Sequence, residues 1–99
     1  MTAPTPAEAA RRLATWLDAQ GRLTGWPAKR SLQVLASYYL VAKFEGSRRY
    51  SEAEVNAILD TWSLFRDAAR LRREMVELGL LGRTSDGREY WLQPGAQTV

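Results

Sequence analysis

Asp86-Gly87, near the end of the chain, is the tightest constraint on what this sequence can fold into. It lies in Ser85-Asp86-Gly87, flanked by the strand-like segments Leu80 to Thr84 and Arg88 to Leu92. A tight reversal there needs positive φ, which Asp-Gly supplies, so the three segments read as a β-hairpin. Upstream, apolar residues recur at three- and four-residue spacing, the signature of helices with one buried face. The predicted class is therefore α+β, mostly α. An isolated hairpin is only marginally stable, so a third strand is needed, and Arg49-Tyr50 is the candidate.

Four helices are predicted ahead of the hairpin. The first runs from Pro6 to Gln20. Thr5 and Glu8 have capping-box spacing, Pro6 takes the first helical position, and Gly21 is the stop. Its apolar face holds Ala9, Leu13, Trp16 and Leu17. A connector from Arg22 to Ala28 follows, disfavoured as helix by Gly25 and Trp26-Pro27 and anchored by Leu23 and Trp26. The second helix, Ser31 to Lys43, is so broadly apolar that it must be central. After the polar turn Glu45 to Arg49, Ser51 and Glu54 form a second capping box for a third helix, Ser51 to Trp62. The fourth helix starts at Asp67 as N-cap and ends at Gly79, with Leu71, Met75 and Leu78 as its core stripe.

This order is that of a winged helix-turn-helix with an extra N-terminal helix and a C-terminal hairpin wing. Residues 1–99 form one domain: the N-terminal helix over 1–20, the winged-helix-like core over 21–92 and a flexible tail over 93–99.

Composition narrows the chemistry. The 99 residues contain no Cys and no His. Disulfides, thiolate nucleophiles, Cys/His zinc sites and His acid–base catalysis are thereby excluded. No acidic loop has the spacing of a hard-cation site. The expectation is a protein without cofactor or metal that is not an enzyme. No apolar run approaches the ~20 residues that span a bilayer, and Met1-Thr2-Ala3-Pro4 lacks a signal-peptide pattern, so a cytoplasmic protein with no membrane partner is expected.

Several blocks of residues resemble one bacterial family. They are Gly21-Arg22-Leu23, Pro27-Ala28-Lys29, Arg49-Tyr50-Ser51-Glu52-Ala53-Glu54-Val55-Asn56, Leu71-Arg72-Arg73-Glu74-Met75-Val76, Gly79-Leu80-Leu81 and Asp86-Gly87-Arg88-Glu89-Tyr90-Trp91. Together they are similar to domain-of-unknown-function family 2087, over about Gly21 to Leu92. The resemblance implies a winged-helix-like fold. Because members occur alone or joined to helix-turn-helix regulators, it also implies transcriptional regulation.

In a winged helix the last helix enters the major groove. At roughly 100° per residue, Leu71, Met75 and Leu78 point one way, Arg70, Arg73 and Glu77 point the other, and Arg72 lies on a flank. If the helix begins earlier, Arg66 extends the Arg70–Arg73 stripe. Arginine's planar fork suits phosphate oxygens and the guanine O6/N7 edge. Arg83 and Arg88 on the wing, with Lys29 and Arg30 at the start of the second helix, add backbone contacts. The DNA-binding candidates are thus Arg66, Arg70, Arg72, Arg73, Arg83, Arg88, Lys29 and Arg30, and the partner is double-stranded DNA.

The opposing reading is an ordinary solvated helix, with Arg70–Glu74 and Arg73–Glu77 as surface pairs worth about 0.3–0.5 kcal/mol each. Charge favours it. Met1 to Ala42 carries five basic and two acidic residues, whereas Lys43 to Val99 carries nine of each. The net +3 therefore lies outside the recognition helix and wing. A protein-interaction or dimerisation module without DNA contact is the alternative function. A ligand sensor built on the aromatics is a third.

Trp16, Trp26, Trp62 and Trp91 either pack in the core or line an aromatic groove. Tyr50 and Tyr90 are either sheet aromatics or binding residues. Asn56 either takes a local hydrogen bond or contacts a ligand. The apolar face of the first helix packs either on its own domain or on a second copy, the latter giving a homodimer through the N-terminal helix.

Overall fold

The computed structural model describes residues 3–93. Among the described residues, four α-helices and a three-stranded antiparallel sheet enclose one core, a mostly helical α+β fold compatible with the expected winged helix.

Helix α1 spans Pro6–Arg12. The Thr5 hydroxyl accepts the Glu8 amide at 3.0 Å, and the Glu8 carboxylate accepts the Thr5 amide at 3.3 Å, so the predicted capping box forms. The helix does not reach Gln20. It gives way to a 3₁₀ turn, Ala14–Trp16, and Leu17 is extended. Asp18 causes the break: its carboxylate accepts the amides of Gln20 and Arg22 and pairs with the Arg22 guanidinium at 2.7 Å. Such a turn competes directly with helix continuation. The chain then doubles back, and Leu17 bridges Leu23.

Leu23 is fully buried and ties the connector to the end of the third helix. Its amide donates to the Trp62 carbonyl at 2.7 Å, and its carbonyl accepts the Leu64 amide at 2.8 Å. The central helix α2, Arg30–Val41, buries Leu35, Ala36, Tyr39, Leu40 and Val41. It starts one residue earlier and ends two residues earlier than expected. Ala9 and Leu13 of the leading segment pack into the same core. The apolar face of α1 is thus satisfied within its own domain, and its burial calls for no second copy.

Strand β1, Arg49–Tyr50, leads into α3, Glu52–Trp62, capped reciprocally by Ser51 and Glu54 at 3.1 and 2.8 Å. Helix α4, Ala68–Glu77, follows a short turn. Asp67 holds the predicted N-cap position but not by its side chain. Its carbonyl accepts the amides of Arg70 and Leu71, while its carboxylate faces Arg70 at 3.9 Å. Leu71 and Met75 are each 1% exposed, as the stripe requires. Gly79, at φ +76°, takes the left-handed conformation that ends the helix.

Strands β2, Leu81–Arg83, and β3, Tyr90–Leu92, form the hairpin, and Gly87 at φ +72° makes its turn. The strands are shorter than predicted because Thr84 and Asp86 capture the next amides. The Thr84 hydroxyl accepts from Arg88 and Glu89, and Asp86 Oδ1 accepts from Arg88. The sheet order is β1-β3-β2, so Arg49-Tyr50 does supply the third strand. Arg49, Trp91 and Gly82 form one cross-strand row; Tyr50, Tyr90 and Arg83 form the next. Strand alternation sets these rows on opposite faces. Tyr50 and Tyr90 are buried, so Arg83 shares their helix-facing side while Arg49 and Trp91 face away. Trp91 lies across Gly82 with the Arg49 guanidinium 4.3 Å from the ring centroid.

Of the predicted tail, Gln93 is fixed by a bond from its amide to the Leu80 carbonyl, and the remainder lies outside the described residues. Among the described residues no helix is long and apolar enough to cross a membrane.

Candidate nucleic-acid interface

With Leu71 and Met75 turned inward, the exposed positions of α4 are Ala69, Arg70, Arg73 and Glu77. The expected outward stripe is therefore present. Its internal pairing differs from expectation. Glu74 is largely covered and pairs with Arg30 at the start of α2, not with Arg70. Arg70 lies 3.9 Å from Asp67 instead. Among the described residues Arg73 makes no ion pair with Glu77 or any other acid. The simple surface-pair picture of this helix thus fails, because Glu74 faces α2.

A groove of about 460 Å³ separates α4 from the hairpin. Arg73 comes from the exposed stripe and Arg83 from the helix-facing row of β2. Tyr90 and Gly87 belong to the hairpin. Acids share the lining: Glu52, Glu77 and Asp86. The Thr84 hydroxyl and then the Arg88 amide hold Asp86 below the ordinary carboxylate range.

Arg72 differs from the other candidates. Its side chain is only 14% exposed. One arm of its guanidinium donates to Asn56 Oδ1 on α3, and the other lies 3.1 Å from Glu52 at the start of α3. It also approaches the Tyr90 ring at 5.9 Å. The flank position expected for Arg72 is correct, but that flank faces α3. Asn56 is neither bonded to a nearby turn nor open for a ligand through this oxygen; it anchors Arg72.

The remaining candidates scatter. Arg66 is exposed at φ +52° in the turn before α4, so the helix does not begin early enough to extend the Arg70–Arg73 stripe through it. Lys29 is exposed at the N-cap position of α2. Arg30 joins α2 to α4 through Glu74. Arg88, at the hairpin tip, is 86% exposed and 3.7 Å from Asp86. Structure thus brings Arg73 and Arg83 to one groove, leaves Arg70 and Arg88 exposed outside its lining, and employs Arg72 and Arg30 in holding helices together.

A family model described as an uncharacterized protein conserved in bacteria, DUF2087, matches residues 22–92. The chain belongs to this family. The matched segment begins after α1 and ends with β3, so it contains the whole groove. No curated protein and no solved structure matches the chain.

Sequence reasoning missed the groove's family members Glu52, Val76 and Gly87 because no spacing rule joins α3, α4 and a hairpin. A partial signal existed for Arg83: the two-residue alternation that buries Tyr90 also fixes the side of its cross-strand neighbour. The four Trp do not form one aromatic groove. Trp16, Trp26 and Trp62 pack against the core, Trp26 beside Phe65 with ring centroids 6.3 Å apart, while Trp91 lies on the opposite sheet face.

Proposed function

We propose that this protein binds double-stranded DNA as a winged helix-turn-helix and acts in transcriptional regulation. Helix α4 is the recognition helix and the β2–β3 hairpin is the wing. The helix–strand–helix–helix–hairpin order and the β1-β3-β2 sheet support the winged-helix assignment. One observation carries the functional reading: the exposed stripe of α4 runs into the groove that Arg83 enters from the hairpin. Arg70, Arg73 and Arg83 then meet a duplex along one track, and Arg88 and Lys29 reach the flanking backbone. The role is binding rather than catalysis, consistent with a chain lacking His and Cys. A duplex-binding role implies a cytoplasmic protein.

Fluorescence anisotropy with labelled mixed-sequence duplexes tests this. Affinity is expected to fall steeply with salt as phosphate contacts release counterions. Arg70→Ala with Arg73→Ala should weaken binding at least tenfold and flatten the salt dependence while leaving the melting temperature unchanged. Absence of binding at low salt refutes the reading for the isolated protein.

The lining of the groove favours a second reading. Arg72, Arg73 and Arg83 are matched by Glu52, Glu77 and Asp86, a formally neutral surface suited to a protein partner. That role predicts a complex that ordinary salt does not dissolve. A monodisperse monomer by light scattering, with no co-purifying partner, counts against it.

A further inference from the structure

Three tyrosines are almost completely buried, and their hydroxyls differ. Tyr39 donates to the Gly21 carbonyl at 2.6 Å, and Tyr50 accepts the Glu45 amide at 2.7 Å. Tyr90 is only 4% exposed, yet among the described residues its hydroxyl has no hydrogen-bond partner. No enclosed side-chain polar atom among those residues lacks a partner. The Tyr90 hydroxyl must therefore reach open space, and the space that Tyr90 lines is the groove between α4 and the hairpin. Buried tyrosines normally satisfy this group, so a hydroxyl left open at a groove floor is a donor awaiting an acceptor.

Gly87 locates it. A Cβ placed on Gly87 would lie 3.9 Å from the Tyr90 hydroxyl and 3.5 Å from Arg83 Nη1, so both groups border one gap. Arg83 makes no ion pair among the described residues, and neither does Arg73 on the helix wall. Arg72 is already committed to Asn56 and Glu52. Apart from Glu77, the uncommitted groups among the described lining residues are donors: two guanidiniums and a phenol, arriving from helix, strand and floor.

We propose that this groove binds a phosphate group, whose oxygens accept from Arg73, Arg83 and the Tyr90 hydroxyl. A tetrahedral, acceptor-only anion matches donors converging from three directions, whereas a planar carboxylate is already satisfied by one guanidinium fork. Two of the three lining acids have partners: Glu52 with Arg72, and Asp86 with the Thr84 hydroxyl, the Arg88 amide and, at 3.7 Å, the Arg88 guanidinium. Those hydrogen bonds leave Asp86 ionised, so it and Glu77 both oppose the anion. The volume of about 460 Å³ exceeds one phosphate and suits a phosphoester of nucleotide size. That phosphate comes either from a duplex backbone or from a free phosphoester. The site itself rests on the groove, not on the duplex reading.

The full chain, labelled with ¹⁵N, is titrated with inorganic phosphate at constant ionic strength, and duplex binding is measured over a salt series. Saturable shifts are expected at the Arg73 and Arg83 Nε–H groups and the Gly87 amide. Arg73→Gln and Arg83→Gln should each weaken phosphate binding about tenfold, and Tyr90→Phe about threefold, in keeping with charged and neutral hydrogen bonds. Tyr90→Phe should not lower the melting temperature, since no internal bond is lost. Glu77→Gln should tighten binding. If phosphate binds in this pattern and duplex does not, the site stands for a free phosphoester and the DNA reading falls. If inorganic phosphate gives no saturable shift but Arg73→Gln with Arg83→Gln lowers the duplex salt slope by about one, the source is the backbone. Equal phosphate binding by wild type and Arg83→Gln overturns the proposal even where duplex binds. So does the absence of both phosphate shifts and any slope change.

Discussion

Arg72 permits a quantitative test of what holds α4 against α3. Arg72→Met removes the guanidinium and keeps most of the aliphatic stem, so packing is nearly preserved. Asn56 Oδ1 then loses a charge-assisted hydrogen bond at a partly buried position, a loss of about 1.5–3 kcal/mol. The contact with half-exposed Glu52 adds only about 0.2–1 kcal/mol, as surface ion pairs do. A total near 2–3 kcal/mol is expected. At about 4–8 °C per kcal/mol for a domain of this size, that lowers the melting temperature by roughly 10–20 °C.

A double-mutant cycle separates the brace from general damage. Asn56→Ala alone should cost about 1–2 kcal/mol, and the two substitutions together should cost clearly less than their sum, with a coupling near 1–2 kcal/mol. Urea unfolding monitored by tryptophan fluorescence supplies the free energies, with the dependence on denaturant unchanged across the four proteins. A loss below about 0.5 kcal/mol for Arg72→Met, with no coupling to Asn56, would falsify the brace and return Arg72 to the set of free cations on α4.

Other expectations concern the sheet, the core and acid. Gly82→Ala drives a methyl into the Trp91 indole nitrogen, so the indole must leave its seat. A cost of about 1–3 kcal/mol and a changed Trp emission should follow, whereas an unaltered spectrum refutes the stacking. Leu71→Ala opens a cavity in a site 1% exposed and should cost about 2–5 kcal/mol in urea unfolding. Glu8, Asp18 and Glu54 are held below the ordinary carboxylate range chiefly by the backbone amides of Thr5, Arg22 and Ser51. Folded values lie below unfolded ones, so their stabilisation is complete above the ordinary carboxylate range and fades as pH falls through it. Melting temperature against pH should drop on that acid limb, less steeply in Glu54→Gln, and identical limbs exclude Glu54. Burial depresses Lys43, whose amine lies 4.0 Å from the Trp62 ring centroid. Its Nζ should lose its proton below the ordinary lysine range in an NMR titration, and an ordinary midpoint refutes the desolvation of this amine.

Legibility in the sequence followed the range of the interaction. Thr5/Glu8 and Ser51/Glu54 act over three residues, and both capping boxes form as read. Asp86-Gly87 acts over a turn, and the hairpin forms around it. The helical stripe of Leu71 and Met75 is also local and holds. Errors begin where side chains compete with the backbone: Asp18 ends the first helical stretch, and Thr84 and Asp86 shorten the hairpin. They grow where charges choose distant partners. Glu74 lies four residues after Arg70 and pairs across 44 residues with Arg30. Arg72 meets Asn56 across 16 residues. No helical wheel contains either choice, because both depend on how α2, α3 and α4 cross.

Those distant pairings change what net charge says about the site. Counted from Lys43 to Val99, bases and acids cancel, which argues against a duplex. Distance removes much of that cancellation from the working face. Glu74 and Glu52 are spent on Arg30 and Arg72 between helices, and neither guanidinium is needed to hold a phosphate. What remains along α4, its N-cap and the hairpin turn is Arg70, Arg73, Arg83 and Arg88 against Asp67, Glu77 and Asp86, with Asp67 and Asp86 each nearly 4 Å from their cations. Pairs so loose and exposed are readily exchanged for a phosphate. The excess is small, so binding by this face depends on geometry more than on overall charge. Loss of Arg83, which borders the gap with Gly87 and Tyr90, should accordingly weaken phosphate or duplex binding more than loss of Arg88 at the open tip. Equal effects of Arg83→Gln and Arg88→Gln would mean that a diffuse field, rather than the groove, attracts the anion.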